Sequence, residues 1–183
     1  MIKIIIEGLD RLGKGTLIQG LQNELGFATV IHYGKPEKLK SHNYSLFEYQ
    51  RRSFENGFYF LDTNGFVIFD RFHLGEYVYS PLYRNYSGEY VFDQERDFGI
   101  KNKNNVFLVL LTTSNLNIMQ DDGQSHDYLK RGEEQEKFKE AFNMSEIKHK
   151  IVIDVHDGFG HYKDKQYILE QVLHFLGEPN ATV

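Results

Sequence analysis

The feature that most restricts the fold of this chain is a glycine-rich segment between a short apolar run and a segment of helical length. The apolar run extends from Ile2 to Glu7, and the helical segment extends from Gly15 to Leu25. The segment that joins them reads Gly8-Leu9-Asp10-Arg11-Leu12-Gly13-Lys14-Gly15-Thr16. Glycines and a lysine in this strand-to-helix context are typical of a phosphate-binding loop.

This loop predicts an anion site. Its backbone N–H groups and the positive end of the following helix bind phosphate without a catalytic side chain, and Lys14 adds a positive charge at the terminal phosphates. The phosphates of ATP fit such a site, so we expect ATP as the cofactor. The usual motif has Ser or Thr directly after the lysine to ligate Mg²⁺, whereas this chain has Gly15 there and Thr16 one position later.

Five short, β-branched apolar runs alternate with helical segments. Their hydrophobicity is continuous rather than alternating, which is typical of a parallel sheet covered by helices on both faces. The sequence therefore predicts a three-layer α/β fold. The predicted strands are Ile2 to Glu7, Ala28 to Tyr33, Gly65 to Asp70, Asn105 to Thr112 and Lys150 to Val155. The predicted helices are Gly15 to Leu25, about Tyr44 to Asn64, Leu74 to Tyr83, about Glu133 to Asn143, and Lys165 to Leu176.

Composition excludes several classes of protein. The 183 residues fit one domain, 1–183. The chain has no cysteine, which excludes disulfides, thiolate metal sites and cysteine nucleophiles. The formal net charge of -5 disfavours a nucleic-acid partner, and no apolar run approaches the roughly 20 residues that span a bilayer. The first apolar run is too short for a signal peptide, so we expect a cytoplasmic protein.

The loop resembles that of thymidylate kinases, which carry Asp-Arg at the same place and Ser where this chain has Gly15. The resemblance implies a P-loop nucleoside monophosphate kinase with strand order 2-3-1-4-5. It also implies that Arg11 reaches the transferring phosphoryl group and that Asp10 faces the acceptor sugar. Loops of the adenylate kinase type also end in Gly-Lys-Gly-Thr, which implies that Mg²⁺ is held through water by Asp70 and Thr16.

A second motif, Asp70-Arg71, ends the third predicted strand. Ligands of open α/β sheets gather at the carboxyl ends of the strands. There a carboxylate can hold Mg²⁺ through water, and an arginine can clamp an acceptor phosphate. The block resembles the Asp-Arg-Tyr of the family, which favours catalytic roles for both residues. Glu76 and Tyr79 follow at helical spacing, and we expect both to contact the acceptor.

A third motif is Phe47-x-x-x-Arg51, whose members share one face of a helix. The family has the same spacing before its Asp-Arg block, which implies that Phe47 stacks on the acceptor base and that Arg51 binds the base or its phosphate. Arg52 is the competing candidate if the register differs by one residue. We expect the acceptor-binding helical region to cover about residues 35–64.

A long polar segment lies at about residues 114–132 and is the predicted lid. Family lids use arginine against ATP phosphates, and the resemblance gives that role to Arg131.

The motifs and the resemblance together predict transfer of the γ-phosphate of ATP to a deoxynucleoside monophosphate, most simply a thymidylate-type pyrimidine, with Mg²⁺ as the metal. The family also implies a homodimer.

Two alternatives stay open at this point. One is a kinase with the same loop that acts on a nucleoside, a modified base in DNA or a polynucleotide end. The other is a regulatory module that binds ATP without catalysis, an idea that rests on Gly15. The retained Arg11, Lys14, Asp70 and Arg71 weigh against it.

Overall fold

The computed structural model describes residues 1–36, 45–119 and 128–177. It contains one five-stranded parallel sheet with helices on both faces, in the order β2-β3-β1-β4-β5. The fold class and the strand order predicted from sequence are therefore confirmed. The strands are β1 (Lys3–Gly8), β2 (Thr29–His32), β3 (Val67–Asp70), β4 (Val106–Thr112) and β5 (His149–Asp154). The helices are α1 (Lys14–Leu25), α2 (Leu46–Tyr59), α3 (His73–Tyr83), α4 (Tyr90–Asp97), α5 (Arg131–Met144) and α6 (Lys165–Gly177).

The central strands are buried along their whole length. Every residue of β1 and β4 is buried, because helices cover both sides of these strands. Helix α1 packs with α6, and α3 packs with α5. This burial explains why the strands read as unbroken apolar runs, and it leaves their carboxyl ends as the edge where loops meet.

Two helices differ from the prediction. Helix α2 begins after Ser45, whose side chain accepts the N–H of Glu48 in a capping box, and it ends at Tyr59 in a 3-10 turn rather than at Asn64. Helix α4 was not predicted, because it is short and mostly polar. Its buried face includes Glu95, which binds His73 of α3 at 2.6 Å.

Parts of two predicted regions lie outside the described residues. These parts are residues 37–44 of the acceptor-binding region and residues 120–127 of the lid. In the described part of the chain, no helix is long and apolar enough to cross a membrane.

Candidate active site

The glycine loop has a backbone that other residues could not adopt without strain. Gly8 has φ 129, and a Cβ there would lie 2.3 Å from the carbonyl oxygen of Leu111 on β4. Gly13 is the N-cap of α1 and has φ 84, in the left-handed region. Among the residues that the structure describes, no side chain caps α1. The N–H groups of its first turn are thus available to an anion.

Lys14 lies inside the loop. Its ammonium donates to the carbonyl oxygens of Gly8, at 2.8 Å, and Leu9. Burial and the nearby Arg71 guanidinium together lower the pKa of Lys14 to about 8, although the carboxylates around it oppose the shift. The lysine therefore keeps its positive charge at neutral pH, at the carboxyl end of β1.

The rest of the loop divides into a core-facing and an outward-facing part. The Leu12 side chain is buried, so only its backbone can serve a ligand. Gly15 and Thr16 are exposed at the start of α1. Asp10 is half-buried and accepts a hydrogen bond from the guanidinium of Arg71.

Arg11 contributes to a cavity of about 290 Å³, which we call the Tyr162 cavity. Arg11 has φ 68, and its carbonyl oxygen accepts the Tyr162 hydroxyl at 3.1 Å. Leu17 and Ile168 add apolar walls. The full lining is Arg11, Leu12, Gly13, Thr16, Leu17, Tyr162, Lys163, Lys165 and Ile168. A flat apolar group bound here would lie directly beside the glycine loop.

The Asp70-Arg71 motif lies where β3 ends, next to the glycine loop. Asp70 accepts a hydrogen bond from His32 Nδ1 at 2.8 Å, so the ends of β2 and β3 are joined. Arg71 has φ 61, and its N–H donates to the Ile6 carbonyl at 3.0 Å. The guanidinium of Arg71 then reaches Asp10, which brings together two motifs that lie sixty-one residues apart.

Beside this pair opens a cavity of about 150 Å³, which we call the Arg71 cavity. It has an aromatic wall, several cations and two carboxylates. Its lining is Asp10, His32, Tyr33, Gly34, Lys35, Gln50, Phe54, Arg71, Phe72, Gly75, Glu76, Tyr79 and Arg84. Four residues expected at the acceptor line it: Asp10, Arg71, Glu76 and Tyr79. Tyr79 also packs against Phe138, and burial raises its pKa well above the ordinary value.

Phe47 and Arg51 are not among the residues that line this cavity, and their contact with an acceptor stays a prediction. The face of α2 that lines the cavity carries Gln50 and Phe54. Because successive helical residues are about 100° apart, placing Gln50 inward turns Arg51 into solvent. Phe47 is half-buried, and its ring packs edge-on against two tyrosines of the α3–α4 region, Tyr86 and Tyr90. The alternative candidate, Arg52, is exposed as well.

The buried carboxylate of Glu76 accepts four side-chain hydrogen bonds at one end of the Arg71 cavity. One carboxylate oxygen accepts the hydroxyls of Tyr86 at 2.7 Å and Tyr90 at 2.9 Å. The other accepts the side-chain amide of Gln50 at 3.3 Å and the guanidinium of Arg84. The Gln50 amide nitrogen therefore faces Glu76, an orientation assigned from this network.

Arg131 is the residue that we expected to serve as the lid arginine. It begins α5, is buried, and donates from Nη1 to the Met119 carbonyl at 2.9 Å. It lines neither the Arg71 cavity nor the Tyr162 cavity. One nitrogen of the Arg131 guanidinium is thus hydrogen-bonded within the predicted lid segment. Contact between Arg131 and ATP stays a prediction.

Sequence reasoning missed Glu7, the last residue of β1 before the glycine loop. Its side chain is fully buried, and one carboxylate oxygen accepts the N–H groups of Phe72, Leu74 and Gly75. Burial raises the pKa of Glu7, an effect that His73 and these hydrogen bonds oppose. The available signal was one acidic residue directly after the apolar run Ile4-Ile5-Ile6.

Comparisons with known proteins bear on the fold. No family model matches the chain, and no curated protein matches it by sequence. Solved structures do match over nearly the whole chain. YorR from Bacillus subtilis, solved in complex with phosphorylated GDP, is 22% identical over 96% of each chain, with a TM-score of 0.68.

Two further structures extend the comparison. A thymidylate kinase from Candida albicans is 16% identical over 96% of this chain and 91% of that chain, with a TM-score of 0.58. A deoxyadenosine kinase from M. mycoides with bound dATP is 14% identical over 96% of this chain and 100% of that chain, also with a TM-score of 0.58. At these identities the likeness establishes the fold, and this chain has the P-loop kinase fold that those enzymes share.

Proposed function

We propose that this protein transfers the γ-phosphate of ATP to a deoxynucleoside monophosphate, with a thymidylate-type pyrimidine as acceptor. The observation that carries the proposal is the Arg71 cavity, which opens beside the glycine loop and is joined to it by the Asp10–Arg71 pair. Aromatic walls suit a nucleobase, and arginine suits a phosphate. The likeness in fold to a thymidylate kinase and a deoxyadenosine kinase supports this reading.

The donor side follows from the glycine loop. ATP phosphates lie against the first-turn N–H groups of α1, with Lys14 at the terminal phosphates. The adenine lies in the Tyr162 cavity, where Tyr162, Leu17 and Ile168 provide aromatic and apolar surface. Arg11 lines the same cavity and is the neighbour of Asp10 in the chain, and we expect its guanidinium to reach the transferring phosphoryl group.

The residues of the site fit Mg²⁺ that is bound together with the phosphates of ATP. Mg²⁺ usually keeps several waters and takes one or two carboxylates plus substrate phosphates. Asp70 supplies one carboxylate at the sheet edge, and the Thr16 hydroxyl is exposed at the start of α1. Among the described residues, no group of three or more histidine, cysteine, aspartate or glutamate side chains is arranged to hold a metal ion. When bound, Mg²⁺ neutralises charge on the donor phosphates.

The acceptor lies in the Arg71 cavity with its phosphate toward the glycine loop. Arg71 and Lys35 provide positive charge there, and the base reaches toward Gln50 at the Glu76 end. Since the amide nitrogen of Gln50 faces Glu76, its oxygen is the group that a base can meet. Thymine has a ring N–H that such an oxygen accepts, which supports a thymidylate-type acceptor.

The protein contributes position and charge rather than a covalent intermediate. An acceptor phosphate is already ionised at neutral pH, so in-line transfer needs no strong general base. Arg11, Lys14 and Arg71 surround the place where the two sites meet, and cations there stabilise charge that spreads over the transferring group.

One observation favours a second candidate, a kinase that phosphorylates a nucleoside. The His32–Asp70 pair has a 2.8 Å contact, and His32 lines the Arg71 cavity. A hydroxyl acceptor must lose a proton during transfer, and a histidine held by a carboxylate is a common group for that task. This candidate requires the nucleoside hydroxyl to reach His32.

The test is ADP formation with Mg²⁺-ATP against all deoxynucleoside and nucleoside monophosphates, free nucleosides and hydroxymethyluracil-containing DNA. We expect turnover with a pyrimidine monophosphate, and a rise of about 100-fold in its KM for Arg71→Ala, the loss of a charge-assisted phosphate contact. Arg96→Ala is the matched control, because Arg96 is exposed on α4 and pairs with Asp93.

Transfer to nucleosides alone would establish the second candidate. Transfer to DNA would overturn the acceptor, and ATP binding without transfer to any acceptor would overturn the kinase.

A further inference from the structure

The buried carboxylate of Glu7 holds the turn that follows β3. One oxygen accepts three backbone N–H groups, from Phe72 at 2.9 Å, Leu74 at 3.0 Å and Gly75 at 3.3 Å. Phe72 is the N-cap residue of α3 and provides no side-chain hydrogen bond of its own. From its position on β1, the Glu7 carboxylate therefore caps the N-terminus of α3, which is the positive end of the helix dipole.

The same turn carries Arg71 in a strained conformation. Arg71 has φ 61, and its N–H donates to the carbonyl of Ile6, the neighbour of Glu7 on β1. A left-handed backbone is unfavourable for a residue other than glycine and persists where surrounding contacts impose it. Here the contacts come from two consecutive residues of β1, one on each side of the strained position.

The second oxygen of Glu7 lies below the floor of the Arg71 cavity. It has no hydrogen-bond partner among the described residues, and a Cβ built on Gly75 would lie 3.7 Å from it. Gly75 lines the Arg71 cavity. Glu7 thus connects β1, the start of α3 and the wall of that cavity, although it contacts no ligand position itself.

We propose that Glu7 is a positioning residue for phosphoryl transfer, which fixes the turn after β3 so that Arg71 faces Asp10 at the junction of the two sites. The inference rests on the proposed function for its kinetic consequence. To hold the turn, residue 7 must place one hydrogen-bond acceptor within reach of the N–H groups of Phe72, Leu74 and Gly75. Glu7→Gln keeps that acceptor, whereas Glu7→Asp withdraws it by one methylene.

The experiment compares Glu7→Gln and Glu7→Asp with the wild type in kcat, acceptor KM and equilibrium binding of Mg²⁺-ATP. We expect Glu7→Asp to lower kcat about 100-fold, the scale of a 1 Å misplacement, with ATP binding changed less than about threefold. Glu7→Gln should stay within about threefold of the wild type, because its amide oxygen accepts the same N–H groups.

A measurement on the wild type keeps the test independent of any variant's folding. Hydrogen exchange of the segment 69–76 should show the amides of Phe72, Leu74 and Gly75 protected as strongly as the interior of α3. Unprotected amides would overturn the inference, and so would a folded Glu7→Asp with wild-type kcat or a Glu7→Gln as impaired as Glu7→Asp. A wild type that phosphorylates no acceptor would contradict the proposed function, while hydrogen exchange would still decide the role of Glu7 in the turn.

Discussion

A graded series of glycine-to-alanine substitutions in the glycine loop separates two causes of instability. Gly8 has φ 129, and a Cβ there would lie 2.3 Å from the Leu111 carbonyl. Gly13 has φ 84 with no atom within 4 Å of a Cβ, and Gly15 has open space without a positive φ. The three positions therefore combine strain with a clash, strain alone, and neither.

The expected magnitudes follow from these distances. Gly13→Ala should cost about 1–3 kcal/mol of unfolding free energy, the range for a non-glycine residue in a sparsely populated region. Gly8→Ala should cost a further 1–3 kcal/mol or so, because β1 and β4 must separate in a close-packed core. Gly15→Ala should gain about 0.5–1 kcal/mol, because alanine loses less backbone entropy in a helix.

Urea unfolding measures the series, with the midpoint read at constant slope. At a slope of about 2 kcal/mol per molar, Gly8→Ala should unfold about 1–3 M earlier than the wild type, and Gly13→Ala about 0.5–1.5 M earlier. Equal midpoints for Gly8→Ala and Gly13→Ala would refute the reasoning, because the 2.3 Å approach to Leu111 would then carry no cost.

The remaining predictions concern charge and metal. Arg11→Ala should lower kcat by about a thousandfold with little change in ATP binding, the low end for an arginine that stabilises phosphoryl transfer, and a pre-steady-state ADP assay measures it. Burial acts to raise the pKa of Glu95, but the hydrogen bonds from His73, Ser145 and Glu146 outweigh burial and lower it. The Glu95 carboxylate therefore stabilises the folded protein at pH values above the pKa of the unfolded state. This stabilisation is lost as the pH falls through the pKa of the folded state. Urea midpoints of the wild type should therefore fall from about pH 5 downward, whereas those of Glu95→Gln should fall less steeply. Gly15→Ser should lower the Mg²⁺ concentration needed for half-maximal turnover, because a hydroxyl returns to the position next to Lys14, and an unchanged requirement would contradict that reading.

Much of the fold could be predicted from the sequence because its signals are local. Continuous apolar runs identify all five strands, and the resemblance to the thymidylate kinase family implies their order. The start of α1 follows from Gly13-Lys14, since the glycine takes the left-handed conformation at the N-cap. Helix α4 escaped prediction because Val91 and Phe92 are too few to form a periodic pattern, and its burial depends on tertiary contacts.

The site was less predictable, since helix rotation and long-range contacts do not appear in residue spacing. Phe47 and Arg51 have the spacing of a binding pair, yet the rotation of α2 turns Gln50 inward. The contact between Arg71 and Asp10 joins motifs that the sequence shows only separately. Glu7 needed the three-dimensional position of α3, which no pattern in β1 reveals.

The four donors around Glu76 have a consequence for acceptor preference. An ionised carboxylate offers about four lone-pair sites, and Gln50, Arg84, Tyr86 and Tyr90 take up that number. Glu76 thus has no remaining capacity to accept a hydrogen bond from a base. Under the proposed function, Glu76 influences the choice of acceptor indirectly, because it sets which atom of the Gln50 amide faces the bound base. On that proposal, we expect substitution of Gln50, rather than of Glu76, to change which acceptor this protein prefers.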